Sequence, residues 1–128
     1  MVKFTNNKPK SIITFLFIIV VITIGLIYSY FFIYGSYTDT QSIIVQEVNV
    51  DDYLISIKGT TTNSATGFSG YNYSIENKNL YIKLRYSMVS KTNPTGDFKI
   101  EQGGAFEGIQ KVYLRGNQEG NLKLLWSK

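Results

Sequence analysis

Two short stretches of the sequence place aromatic and cationic side chains at every second position, a combination suited to holding anions. If each stretch is a β-strand, alternate side chains share a face, so each strand presents one aromatic and two cations together. Two such strands side by side form one basic and aromatic patch. The predicted patch consists of Tyr81, Lys83, Arg85, Lys111, Tyr113 and Arg115. The alternative is an ordinary solvated sheet face whose cross-strand neighbours include acids.

The charge distribution bears on the partner of this patch. The net charge is +4, but three of the thirteen Lys and Arg precede residue 11, and all nine Asp and Glu follow it. The rest of the chain is therefore close to neutral, which is a poor basis for nucleic-acid binding. Outside a membrane, the anionic partners that such a patch fits are lipid headgroups or wall polymers, and no nucleic acid is expected.

Catalytic chemistry is restricted by two missing residue types. The sequence contains neither histidine nor cysteine, which excludes a Ser-His-Asp triad, a thiolate nucleophile and metal sites built on those ligands. No acidic calcium-loop motif is present, and Asp51-Asp52 is typical of a turn, so no metal or cofactor is predicted. A carboxylate pair assembled by the fold from Asp97, Glu101 or Glu107 leaves an envelope hydrolase as an alternative.

Alternation of apolar and polar residues predicts that these side chains lie on an all-β domain. The Tyr71–Glu76 and Leu80–Tyr86 segments predict a hairpin that buries Tyr71, Tyr73 and Ile75 on one face, while residues 59–70 have the composition of a loop. About seven antiparallel strands are expected, with a sandwich favoured over a small barrel. The seven predicted strands cover residues 42–50, 53–60, 71–76, 80–86, 97–101, 109–115 and 121–126.

An uncharged apolar stretch precedes this domain. Residues 11–34 are 24 residues without a charge, and a helix of this length spans about 36 Å, enough to cross a bilayer. A cleaved secretory signal, the alternative, has a shorter apolar region and small residues at its cleavage site. We therefore predict a signal-anchor, a single transmembrane helix that remains attached.

Charge also predicts the orientation of this helix. Three lysines precede it, whereas the first charges after it are acidic, and this asymmetry places the N-terminus in the cytoplasm of the cell. The predicted organisation is a cytoplasmic basic tail at 1–10, the helix at 11–34, a short linker at 35–41 and an extracytoplasmic β-domain at 42–128. The bilayer is thus the first predicted partner, through residues 11–34.

Four short motifs in the last 60 or so residues carry a resemblance. They are SGYxYxI from Ser69, LYIK from Leu80, VYLxG from Val112 and KLLW from Lys123. In this order they resemble a group of small membrane-anchored or exported proteins of low-GC Gram-positive bacteria, a group with no established activity. The resemblance implies a bacterial plasma membrane and transfers no catalytic residue.

These features predict a non-enzymatic, single-pass membrane protein whose outward β-domain binds a partner in the cell envelope. The partner is another membrane protein, an anionic wall polymer or the lipid surface. Two alternatives stay open: the carboxylate hydrolase, and an immunity or inhibitor protein that acts against a toxin at the same membrane.

Overall fold

A single long helix opens the computed structural model, which describes residues 7–128. Helix α1, Asn7–Ser29, continues into one π-helical turn, Tyr30–Tyr34, which ends where the Gly35 amide donates to the Tyr30 carbonyl at 2.7 Å. The most apolar part of the segment Lys10–Tyr34 has a mean hydropathy of 2.7, and none of its residues is buried against the rest of the chain. The described chain therefore contains one helix that is long and apolar enough to span a membrane. Of the predicted tail at 1–10, residues 1–6 lie outside the described part.

The rest of the described chain forms β-structure in two sheets. The larger sheet contains β1, β4, β5, β7 and β8, and the smaller sheet has the order β2-β3-β6. The strands are β1 Ser36–Tyr37, β2 Ile43–Val50, β3 Leu54–Thr61, β4 Thr66–Glu76, β5 Asn79–Met88, β6 Phe98–Gly103, β7 Lys111–Arg115 and β8 Leu122–Ser127. The prediction of one apolar helix followed by a β-rich domain is confirmed.

Strand β5 is the centre of the larger sheet. Strand β4 pairs with it along its whole length, so β7 and β1 share the opposite edge, β7 against residues 79–82 and β1 against residues 85–86. Alternate β5 side chains, Leu80, Ile82, Leu84 and Tyr86, enter the core because their neighbours on the strand are polar or charged. They meet apolar side chains of the smaller sheet, including Ile55, Ile57, Phe98 and Ile100. Two sheets thus share one core, and they do not close into a barrel.

The prediction that all strands are antiparallel is wrong at one position. Strand β7 runs parallel to β5, with Tyr81 opposite Tyr113 and Ile82 opposite Leu114. The intervening strand β6 belongs to the other sheet, so the chain leaves the larger sheet after β5 and returns in the same direction. Alternation of side chains is the same in parallel and antiparallel strands, and the sequence pattern therefore carried no sign of this crossover.

The β4–β5 hairpin is confirmed, with Asn77 and Lys78 both at positive φ in its two-residue turn. The predicted burial of Tyr73 and Ile75, at the end of β4 next to this turn, is wrong, because Tyr73 is 42% and Ile75 is 47% exposed. The three-stranded sheet leaves this end of β4 uncovered. The predicted loop at 59–70 is also wrong for most of its length, because β3 extends to Thr61 and β4 begins at Thr66.

The junction between the helix and the sheet is built from hydrogen bonds to the last helical carbonyls, which have no partner within the helix. The buried Asn93 side chain donates to the carbonyls of Phe32 (3.2 Å) and Ile33 (2.9 Å). Ser87 and Ser90 hydroxyls also donate to the Phe32 carbonyl, at 3.2 and 2.9 Å. Side chains from around the end of β5 therefore cap the helix and fix its direction relative to the sheet.

The segment after the helix continues this attachment. Gly35 is buried with φ +72° and ψ −154°, a region open essentially to glycine alone. It leads directly into β1, which pairs with β5 through Ser36 opposite Tyr86 and Tyr37 opposite Arg85. The residues 35–41, predicted as a short linker, thus contribute a strand to the larger sheet, followed by a 3₁₀ turn at Thr40–Ser42.

Candidate functional site

The outer face of the larger sheet brings the predicted patch together. Because β5 and β7 are neighbours, Tyr81 lies opposite Tyr113, and Lys111 lies opposite Asn79 at the start of the pair. Five of the six predicted residues are half-buried, and Lys111 is exposed. We call this set of side chains on β5 and β7 the basic-aromatic face: Tyr81, Lys83, Arg85, Lys111, Tyr113 and Arg115.

Two tyrosines and an arginine form the centre of the basic-aromatic face. The rings of Tyr81 and Tyr113 stack, with centroids 5.4 Å apart and an angle of 12° between their planes. The Arg115 guanidinium carbon lies 3.9 Å from the Tyr81 ring centroid, and the same side chain forms a 3.1 Å ion pair with Glu76. Tyr81 therefore contacts both an aromatic ring and a guanidinium group.

The two cations of β5, Lys83 and Arg85, rest on aromatic rings that lie outside the predicted patch. Lys83 Nζ lies 5.0 Å from the centroid of Tyr37 in β1, and the Arg85 guanidinium carbon lies 4.1 Å from the centroid of Tyr34. Both rings come from the helix end and the segment after it. The sequence signal for both rings is the cluster of tyrosines and phenylalanines near the end of the apolar stretch, which is also typical of a membrane-interface belt.

A shallow cleft of about 210 Å³ lies over the middle of this face. Its walls present cations, phenol groups, amide and hydroxyl groups, all of them able to donate hydrogen bonds. Its lining residues are Tyr37, Asn72, Tyr73, Ser74, Tyr81, Lys83 and Arg115. The Asn72 amide is oriented by a 2.5 Å hydrogen bond to the Tyr37 hydroxyl. Such a donor-rich lining is suited to an anion.

Acidic side chains lie next to this cleft. Glu76 and Glu119 line the adjoining groove, which Lys83 and Arg115 also line. Glu76 is committed to Arg115 by the ion pair, and the side chain is half-exposed, so solvent screens the pair. The basic-aromatic face therefore carries four cations against these two neighbouring acids.

The three acids considered for hydrolysis have other partners or stand exposed. Asp97 accepts a 2.7 Å hydrogen bond from the Thr60 hydroxyl, and Glu101 lies 3.3 Å from Lys99 in an exposed ion pair. Glu107 is exposed in the turn after β6. Within residues 7–128, no three Asp or Glu side chains gather as a metal site would require. The hydrolase alternative stays a prediction, with no supporting geometry.

Asp39 has a structural role next to the site. Its carboxylate accepts hydrogen bonds from the Gln41 amide at 2.9 Å and from the Asn121 side chain at 3.0 Å. These two bonds, the backbone one first, lower the pKa of Asp39 below its usual 3.8. Asn121 also binds the hydroxyl of Thr40. The cluster thus ties the turn after β1 to the loop between β7 and β8.

Comparisons with known proteins do not identify a relative for this arrangement. No protein-family model, no curated protein and no solved structure matches the chain.

Proposed function

We propose that this protein is a single-pass membrane protein whose β domain lies outside the cytoplasm and binds an anionic polymer of the cell envelope. The apolar segment Lys10–Tyr34 supports the anchor, because its exposed side chains need an apolar surrounding. The orientation is supported by the three lysines that precede the segment and by Asp39, the first charge after it.

The observation that carries the binding proposal is the pairing of β5 with β7. This pairing gathers Lys83 and Arg115 around one cleft with the phenol groups of Tyr37 and Tyr81. Both cations rest on aromatic rings, which hold them in place; Lys83 forms no ion pair within residues 7–128, and Arg115 pairs with the half-exposed Glu76. Lys83 and Arg115 lie on neighbouring strands, whose backbones are about 4.8 Å apart, so the cleft presents two adjacent cations. Two adjacent cations fit neighbouring phosphates or carboxylates of a polymer better than they fit a single small anion.

We expect Lys83→Gln with Arg115→Gln to weaken binding to isolated Gram-positive wall fragments by about tenfold or more. Charge-assisted hydrogen bonds contribute about 1.5–3 kcal/mol each before screening, and 1.4 kcal/mol is a factor of ten. The measurement is co-sedimentation of the full chain in maltoside micelles with fragments, before and after removal of their anionic polymers.

Two control variants separate binding from folding. Glu76→Gln breaks the same ion pair as Arg115→Gln but keeps the cation, and it should bind at least as well as the unmodified chain. Lys58→Gln with Lys99→Gln removes two cations from the smaller sheet, where the two residues pair across β3 and β6. Equal loss of binding in this second control would contradict the assignment to the basic-aromatic face.

Orientation is tested by cysteine labelling, for which the chain offers a cysteine-free background. Ser64→Cys lies in the exposed β3–β4 connection, and Asn6→Cys lies before the helix in the sequence. In intact cells, an impermeant maleimide should label Ser64→Cys at once and Asn6→Cys only after permeabilisation. The reverse pattern would place the β domain in the cytoplasm and remove the wall polymer as a partner.

A further inference from the structure

Arg85 occupies a different position from the cations of the cleft. It lies near the end of β5 that meets the helix, opposite Tyr37 of β1 and Gly70 of β4. Its guanidinium group lies between the ring of Tyr34 and the backbone of Gly70, where any β-carbon on residue 70 would overlap the guanidinium nitrogen. Packing on both sides holds the group in one place.

This guanidinium has donors that the described part of the chain does not satisfy. Its Nε is buried and has no hydrogen-bond partner, and neither of the two ion pairs found within residues 7–128 includes Arg85. The next outward residue on its own strand is another cation, Lys83, which disfavours the charge further. The two terminal nitrogens of Arg85 also have no hydrogen-bond partner within residues 7–128, and unlike Nε they are not fully buried. A half-buried guanidinium can receive an anion through these two nitrogens, and its planar fork matches a phosphate through two parallel hydrogen bonds.

The position of Tyr34 specifies where that anion comes from. Tyr34 is the last residue of the membrane-length segment Lys10–Tyr34, so in a bilayer its ring lies at the level of the headgroups. Because the Arg85 guanidinium is 4.1 Å from that ring, it lies at the same depth. Lipid phosphates are the abundant anions at this level.

We propose that Arg85, backed by Tyr34, binds the phosphate group of a membrane lipid headgroup. This site is separate from the cleft and rests on the membrane span of the proposed function. The bound phosphate satisfies the guanidinium that the protein leaves without an acceptor, and it anchors the base of the β domain to the membrane surface.

The sequence provides a direct probe, because Arg85 and Arg115 are its only arginines. The full chain, labelled with ¹⁵N-arginine in maltoside micelles, therefore gives two Nε–H signals. The variant Arg115→Gln assigns them without disturbing Arg85. Arg115, which the proposed function places in the cleft, reports separately on anions that enter the cleft. The titrants are phosphatidylglycerol, phosphatidylcholine and inorganic phosphate.

Phosphatidylglycerol should shift the Arg85 signal to a saturating end point and leave the Arg115 signal in place, and phosphatidylcholine should produce a weaker shift of the same kind. No shift at Arg85, or equal shifts at both arginines, would overturn the proposed site. An identical Arg85 shift with inorganic phosphate at the same concentration would overturn the lipid as the source and indicate a soluble phosphate ligand.

A mutant measurement completes the test. Arg85→Gln should lose the phosphatidylglycerol that co-purifies with the full chain in mild detergent, while Arg115→Gln retains it. Cysteine labelling tests the span, and the wall-fragment assay tests Lys83 and Arg115. A negative result at Arg85 therefore leaves those two proposals standing.

Discussion

Replacing Gly35 with alanine should lower the free energy of unfolding of the β domain by about 3 kcal/mol. The glycine has φ +72° and ψ −154°, where a residue with a β-carbon is strained by about 1–3 kcal/mol. The added methyl group would also overlap the backbone carbonyl of Tyr86. Relief of the strain and of the overlap requires β1 to separate from β5. This separation breaks the Ser36–Tyr86 and Tyr37–Arg85 pairs and costs about 1 kcal/mol for each lost hydrogen bond.

The single tryptophan of the sequence makes this measurement simple. Trp126 is half-buried and packs against the core, so its fluorescence in a urea titration of the micellar full chain reports unfolding of the β domain. Release of β1 should also open a new chymotrypsin cleavage site at Tyr37. Gly108→Ala is the matched control, because Gly108 has φ +83° but nothing within 4 Å of the added methyl group. Equal destabilisation by both variants would show that backbone strain alone, rather than attachment of β1, matters.

Replacing Asn93 with alanine should cost about 2–3 kcal/mol. The Asn93 side chain is 6% exposed and donates to the carbonyls of Phe32 and Ile33 and to the Ser87 hydroxyl. Its removal leaves the part-buried Ile33 carbonyl without this donor, which costs about 1–3 kcal/mol, whereas the Phe32 carbonyl keeps its bonds from Ser87 and Ser90. The same urea titration measures the loss.

The control for this substitution is Asn63→Ala. The Asn63 side chain supports a turn by accepting a hydrogen bond from the Ala65 amide. It is exposed, so water replaces the lost bond. We expect a change of about 0.5 kcal/mol or less there. A similar small change at Asn93 would show that the capping bonds to the helix do not stabilise the domain.

The strands of this domain were predictable because buried apolar residues alternate with exposed polar residues along each strand. Leu80, Ile82 and Leu84 enter the core while Tyr81 and Lys83 face outward, and the alternation is visible in the sequence. Alternation identifies a strand but not its neighbour. It therefore gave neither the parallel β5–β7 pair nor the exposure of Ile75, since both depend on where the second sheet lies.

The candidate site was predictable for the same reason, and only in part. Its β5 and β7 residues share a face by periodicity. Tyr34, by contrast, comes from the end of the helix, and Tyr37 comes from a two-residue strand too short to have a pattern. The helix cap was equally hidden. Asn93 meets Phe32 across 61 residues of chain, and the bond is made to a backbone carbonyl, which no side-chain pattern records.

The attachment of the sheet to the helix has a consequence for how the domain meets its surroundings. With Gly35 and Asn93 in place, the helix and β5 form one stiff unit, which on the proposed membrane span would pivot as a lever in the bilayer. At about 3.3 Å per residue, Leu80 lies roughly 20 Å from Tyr86, so a change of about 20° in helix tilt swings that end by roughly 7 Å. A thinner bilayer tilts a helix of this length further. On the proposed span, the thickness of the membrane would therefore set the angle at which the domain stands above it.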